Sequence, residues 1–373
     1  MPNFLYSFLG LEPLSKSQPP FSSWPHRLRL LYNLALNVLI LKTFFVDDPF
    51  FDEFSIPRYD DKPFLTLLLQ YNTCLNYSLA HLATLLYYAL TLHRIVALVD
   101  GAGSFARVEA FRRRRTAALV ATLLLLVFAF GYVKALRMSA TVLPTHQALL
   151  NVAVIFVNYL YIFLPLGLTH FIQFGTYRTM VAIAERAEKE AAAAEAPPLC
   201  PLPPASALRR QVRDAAHINR RLHRLNSLPM AVFIGSHSIV GLVCLSRFES
   251  RTYASYLFYI AGTFAYSLHI ARLAARTRAL LRRIIKREKE RKEVVAFRCE
   301  GGGGGGGLLL ADPNAAMQMP PKARTIELTE LALYERYLVI NLFTLCNFDY
   351  VFLACWALFL LNYTVLIVQT TTD

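Results

Sequence analysis

Carboxylates are scarce in this chain: 25 Asp and Glu stand against 39 Lys and Arg, a formal charge of +14. Cysteine is also sparse. The six residues Cys74, Cys200, Cys244, Cys299, Cys346 and Cys355 include no C-x-x-C pair. None falls in a stretch read below as extracellular, so neither a disulfide framework nor a zinc site is indicated. The N-terminus lacks the continuous apolar h-region of a cleavable signal peptide, because Pro13, Pro19 and Pro20 interrupt residues 1–23. The first long apolar run is therefore expected to be an anchor. Gly101-Ala-Gly103 is not completed to a dinucleotide fingerprint, and the polyglycine run lacks the Gly-Lys-Ser/Thr end of a P-loop. Nothing has the form of a Ser-His-Asp or Cys-His arrangement, and the apolar stretches carry too few charges to converge on a catalytic site. The expectation is a protein that is not an enzyme and has no cofactor and no metal.

What the chain has in abundance is apolar length. Hydrophobic residues make up 55% of it and the mean hydropathy is +0.38, which is rare for a soluble chain of this size. Seven stretches are long enough for a hydrocarbon core of roughly 30 Å: about 28–46, 64–92, 116–136, 148–174, 228–246, 253–273 and 348–369. The fold class read from this is all-α, a polytopic membrane protein with seven transmembrane helices. Pro165 and Gly167 suggest a kink in the fourth, and Gly235, Ser236, His237 and Ser238 interrupt the fifth.

The basic excess first suggests nucleic acid, but its distribution argues otherwise. Of the 39 Lys and Arg, 32 lie in the N-terminus with the entry to the first stretch and in the connections 2–3, 4–5 and 6–7, the last counted from Arg272. The other side holds seven: Lys42, Arg58, Lys62, Lys134, Arg137, Arg247 and Arg251. Short basic loops stay cytoplasmic, so the N-terminus is inside and, with seven spans, the C-terminus outside. The acidic loop 47–63 then faces out. Residues 176–196 and 272–296 have helix-favouring compositions and are expected to extend their spans into the cytoplasm. The resulting division is a cytoplasmic N-terminus (1–27), six spans with cytoplasmic extensions (28–296), a low-complexity disordered loop (297–324), and an anchor helix with the seventh span (325–373). Pro197–Pro204 and the seven glycines Gly301–Gly307 read as linkers. A further helix is expected over Thr325–Cys346, although its apolar residues share no clean stripe. No internal repeat is visible, which weighs against an inverted-repeat transporter.

His81, His170, His237 and His269 fall within spans, without ligand spacing and without carboxylates. Such groups are functional candidates, and an isolated His hydrogen-bonded to a neighbouring helix is the plainer reading. The polybasic stretch 272–298 suits either a solvated face or anionic headgroups. The sequons at Asn76 and Asn362 lie inside spans, where no glycan is added. In the seventh span, Asp349 stands at the start, where the helix N-terminal partial charge favours a carboxylate. Asn362 and Gln369 share a face at a spacing of seven, with Leu366 near it. A polar face on an apolar helix needs a partner or water: a hydrogen bond within one subunit, or a pore between copies.

The end of this span resembles that of the insect gustatory receptors, which close with Thr-Tyr, five mostly apolar residues and Gln-Phe. Here Tyr363, Thr364 to Val368 and Gln369 match, and Asn362 and Thr370 depart. Asp349, fourteen before Tyr363, matches an acidic or amide position of that family. The close resemblance covers residues 338–370; elsewhere it rests on topology and length. It implies a multi-pass plasma-membrane receptor that is a tetrameric ligand-gated cation channel, homomeric or built with related receptors, and opened by a small-molecule tastant. Gln369 would lie at the pore constriction, with Val365, Leu366 and Asn362 below it, and Thr370 in place of Phe implies a wetter or differently selective gate. A ligand pocket would lie in the outer helix halves, where Tyr71, Asn72, Asn76, Tyr132, His237, Tyr256 and Tyr259 are the polar and aromatic candidates. Cytoplasmic helices would form the anchor between subunits. A G-protein-coupled receptor has the opposite orientation, and neither its Asp/Glu-Arg-Tyr at the third span nor its outer cysteine pair is present. A transporter is the remaining alternative. The orientation is testable with glycosylation tags: a tag at the N-terminus should stay unmodified and one at the C-terminus should be glycosylated. Modification of the N-terminal tag would reverse the topology.

Overall fold

The computed structural model describes residues 145–195, 205–246, 251–301, 333–342 and 346–372, with single helical positions between 27 and 39 and between 84 and 98. Four long helices dominate: α1 (Thr145–Glu195), α2 (Ala205–Ser246), α3 (Arg251–Gly301) and α4 (Tyr350–Thr372). The described part of the chain is all-α apart from one two-residue strand pair. The stretches 148–174, 228–246 and 253–273 fall within α1, α2 and α3, and 348–369 coincides with α4. At 1.5 Å per residue, the 51-residue α1 and α3 are each about 77 Å long. Each is more than twice the thickness of a bilayer core, and their apolar parts continue without a break into Ala-, Glu- and Arg-rich extensions. α3 reaches Gly301, into the stretch expected to be a loop. The run Val294-Val295-Ala296-Phe297-Arg298-Cys299-Glu300 holds no helix breaker, so the helix stops only where the glycines begin.

The interruption at Gly235–Ser238 does not break α2. Ser236 and Ser238 donate to the carbonyls of Val232 and Ile234 at 2.9 and 2.7 Å, and His237 Nδ1 donates to Phe233 O at 2.8 Å. Each polar side chain thus returns its hydrogen bond to its own helix.

α1 packs against both α2 and α3, and α4 lies on α2 and α3. Two apolar clusters hold these helices. One gathers Phe163 and Leu166 of α1, Met230 and Phe233 of α2, Ile270 of α3 and Leu353, Trp356 and Leu360 of α4. The other gathers Met180 and Ile183 of α1, Val212 and Ala216 of α2, Leu281 and Ile284 of α3, and Tyr334 and Leu338. Rising numbers in α1 match rising numbers in α3 and falling numbers in α2, so α1 and α3 run the same way and α2 opposes them.

The helix expected over Thr325–Cys346 holds at 333–337 and is corrected from residue 338 onward. Residues 333–337 form one helical turn, the chain then turns at 338–339, and β1 (Asn341–Leu342) pairs antiparallel with β2 (Cys346–Asn347). Asn341 opposes Asn347 and Leu342 opposes Cys346, and the Phe348 N–H closes the hairpin onto Ile340 O at 2.8 Å. The reason is visible in the burial: Leu338, Ile340 and Leu342 are buried while Val339 and Asn341 are less so. That is the period of two of a strand, and it explains why the apolar residues share no helical stripe.

The α2–α4 crossing is close at one glycine. A Cβ at Gly241 would approach Leu360 Cδ2 to 3.3 Å, whereas one at Gly235 would meet nothing within 4 Å. Gly241→Leu should therefore lower stability by about 1–3 kcal/mol through overpacking. Gly235→Ala should leave it unchanged or raise it by up to about 1 kcal/mol, the helix-propensity difference. Thermal unfolding of the purified chain checks both, and equal effects at the two sites would deny that α4 is seated on Gly241.

Candidate functional site

Two features stand out: the helix α4 and a buried polar seam behind it. α4 begins with a built cap. The Phe352 N–H donates to Asp349 Oδ1 at 3.0 Å, while Leu353 N–H reaches Asp349 O at 3.0 Å. The carboxylate sits where the first turn has orphan donors. Burial, and then the neighbouring Asp349 carboxylate, push the Cys346 thiol up, which keeps it protonated and unreactive.

Among the described residues, Tyr350–Gln369 is the one helix long and apolar enough to cross a membrane, 20 residues with a mean hydropathy of 2.3. One stripe of it is covered by its own chain: Leu353, Trp356 and Leu360 are buried, with Thr364 and Ile367 partly so. Trp356 Nε1–H donates to Ser238 Oγ of α2 at 2.7 Å, and the indole lies 5.9 Å from the Phe264 ring of α3. At 100° per residue, Asn362 and Gln369 lie almost directly opposite that stripe, flanked by Val365 and Leu366, and all four are exposed. Tyr363 is exposed beside them and stacks on Phe359 at 4.6 Å. Thr370 belongs to α4, but its side chain is not among those described.

Behind α4, α1 and α2 meet through three polar rungs. In the first, Asn226 Nδ2 donates to Pro165 O at 2.9 Å and to Thr169 Oγ1 at 2.7 Å, and the Thr169 hydroxyl donates to Pro165 O at 2.8 Å. The Tyr88 hydroxyl donates to Asn226 Oδ1 and joins the same rung. In the second rung, Gln173 Nε2 lies 2.8 Å from His223 Nε2. An amide nitrogen only donates, so the ring nitrogen accepts and the imidazole is neutral. In the third, the Thr176 hydroxyl donates to Asn219 Oδ1 at 2.8 Å, and Asn219 Nδ2 donates to Tyr337 O at 2.9 Å. All six rung side chains are buried. The spacings are 169, 173, 176 on α1 and 226, 223, 219 on α2, the four-three alternation of residues facing one partner helix.

The third rung reaches the turn 333–337, and other contacts hold that turn too. Arg220 lies 4.2 Å over the Tyr337 ring, His217 is 5.3 Å from it, and Arg282 Nε donates to Glu335 Oε1 at 3.0 Å. The chain that leads into α4 is therefore fastened to α2 and α3 one short hairpin before α4 starts.

The sequence-based pocket candidates are not brought together by the described residues. Tyr71, Asn72, Asn76 and Tyr132 lie outside them, and the side chains of Tyr256 and Tyr259 in α3 are not described. His237 is buried and bonded to its own helix, with the Phe233 ring 3.8 Å and the Phe163 ring 6.1 Å from it. His170 bonds across to α3 through the Tyr266 hydroxyl at 2.6 Å. Among the described residues, no group of His, Cys, Asp and Glu could hold a metal ion. Sequence reasoning passed over Thr169, Gln173, Thr176, Asn219, His223 and Asn226. Their signal was the same four-three spacing on two segments fifty residues apart.

Burial holds the His223 imidazole down at about 3, from an ordinary 6.5. An unfolded chain therefore takes up this proton well before the folded one does, and stability should fall as the pH drops below about 6.5. The unfolding midpoint should be level above that pH and decline toward pH 4. His223→Gln, neutral throughout, should make the decline shallower; an unchanged slope would remove His223 as its source.

No family model matches the chain, and no curated protein matches it.

Proposed function

We propose that this chain is a seven-span membrane protein, N-terminus inside and C-terminus outside, that acts as a ligand-gated non-selective cation channel opened by a small-molecule tastant. Four copies would surround an axis lined by α4. The observation that carries this reading is the orientation of α4. Leu353, Trp356 and Leu360 are turned to its own chain, and Asn362 and Gln369 to the opposite side. In hydrocarbon, two amides on the lipid-facing side of a span are costly. Around a shared axis they meet water and ions instead, and the apolar residues between them form a constriction.

The Tyr363-x5-Gln369 ending supports the same reading through its resemblance to the gustatory receptors. Gln369 stands near the outer mouth, Leu366 and Val365 one turn further in, and Asn362 below them. Thr370, in place of the family Phe, makes the rim more polar. The ligand favours opening by binding the open state more tightly than the closed one. The route from the bundle to the pore is the fastened turn 333–337 and the hairpin, through which a shift of α1 against α2 reaches α4.

Expression in a heterologous cell, with calcium imaging across a tastant panel, tests the activity. Gln369→Ala should change ion permeability or gating while surface expression is retained. Unaltered currents at normal surface expression would take Gln369 out of the pore.

A further inference from the structure

The exposed face of α3 changes character along its length. Ala261, Ala265 and Leu268 are exposed in its apolar part, and His269, Arg272 and Arg276 continue the same face one to two turns further on. His269, Arg272 and Arg276 stand at i, i+3 and i+7, so their side chains stack on one side of the helix. Both guanidiniums lie within Coulombic range of the His269 ring, and that ring is 5.1 Å from His170 of α1.

These cations have no acid near them in sequence on any packed helix. α1 has no carboxylate before Glu185, α2 none after Asp214, and α3 none before Glu288. Among the described residues, the ion pairs of α3 begin at Arg282, which meets Glu335. The basic residues of α3 before Lys286 are also all arginine. A topology signal is served equally by Lys and Arg. A planar fork that binds two oxygens at once is specific to Arg and fits phosphate.

The geometry points to a binding site for an anionic phospholipid of the inner leaflet. Its phosphate is held by Arg272 and Arg276 with His269 above them, and an acyl chain lies along Leu268, Ala265 and Ala261. This rests on the membrane-spanning reading proposed above, which places residues 269–276 at the cytoplasmic headgroup level. The apolar-to-basic order along one stripe matches the order of tail and headgroup in a lipid entering from that side. Free phosphate would use the arginines alone and leave the apolar part of the stripe without a role.

The test uses the purified full chain in detergent and follows its unfolding midpoint with added phosphatidylglycerol, phosphatidylcholine or inorganic phosphate. Phosphatidylglycerol should raise the midpoint by several degrees through binding to the folded state, and the other two should not. Arg272→Gln with Arg276→Gln should abolish the rise. Arg272→Lys with Arg276→Lys, which keeps the charge and removes the fork, should retain only part of it. Arg221→Gln with Arg224→Gln removes the same charge from exposed positions on α2 and should leave the rise intact. Equal loss in the α2 pair would reduce the effect to general charge and overturn the site. An equal rise with inorganic phosphate would overturn the lipid, and no rise in the unaltered chain would overturn both. Retention of the unaltered chain in alkali-washed membranes tests the membrane reading separately, and none of these measurements depends on channel currents.

Discussion

The register between α1 and α2 is set by hydrogen bonds rather than by apolar contact. Where α1 and α2 meet in the clusters on either side of the seam, the residues are Leu, Ile, Met, Val, Ala and Phe, shapes that would tolerate a slip of one turn. The rungs at Thr169–Asn226, Gln173–His223 and Thr176–Asn219 would not, because a slip leaves buried amides and hydroxyls unpaired at about 1–3 kcal/mol each. Everything downstream inherits that register. Asn219 fixes Tyr337 O, the turn at 333–337 fixes the hairpin, and the hairpin with the Asp349 cap sets where α4 starts. The rotation of α4 then decides which of its side chains are covered and which face outward.

The same bundle carries two different outer surfaces. On α4, an apolar helix turns two amides and several branched residues away from its own chain. On α3, small apolar residues give way to a histidine and arginines that pair with no carboxylate among the described residues. Carboxylates enter further along, at Glu185, Glu288 and Glu290, where the helices have left their apolar parts, and at Glu335 of the 333–337 turn. There Arg282, Lys286 and Arg287 are paired. These pairs are solvated and add little to stability.

Much of this was legible in the residues. Runs of Leu, Val, Ile and Phe near 20 residues, followed by Ala-, Glu- and Arg-rich stretches without Pro or Gly, read directly as long helices, and they are long helices. Asp349 read as a favoured carboxylate at a helix start, and it is the cap. The hairpin was not legible. Val339, Ile340 and Leu342 suit a strand or a helix, and only the burial of alternate residues against α2 separates the two. His237 read as a pocket candidate because it is a polar residue in the outer half of a span. Its bond to Phe233 O and its place beside two Phe rings depend on rotamer and neighbours, which one-dimensional order does not carry.

The seam shows most clearly where the two kinds of information divide. Residue types and spacing alone determined that Thr169, Gln173 and Thr176 share one face of a helix, and that Asn219, His223 and Asn226 share one face of another. They equally determined that Asn362 and Gln369 share a face of the last helix. Which face meets which was decided only in three dimensions. A helix's periodicity defines its stripes but not their partners, and partners are chosen by packing several helices so that buried donors and acceptors are satisfied together.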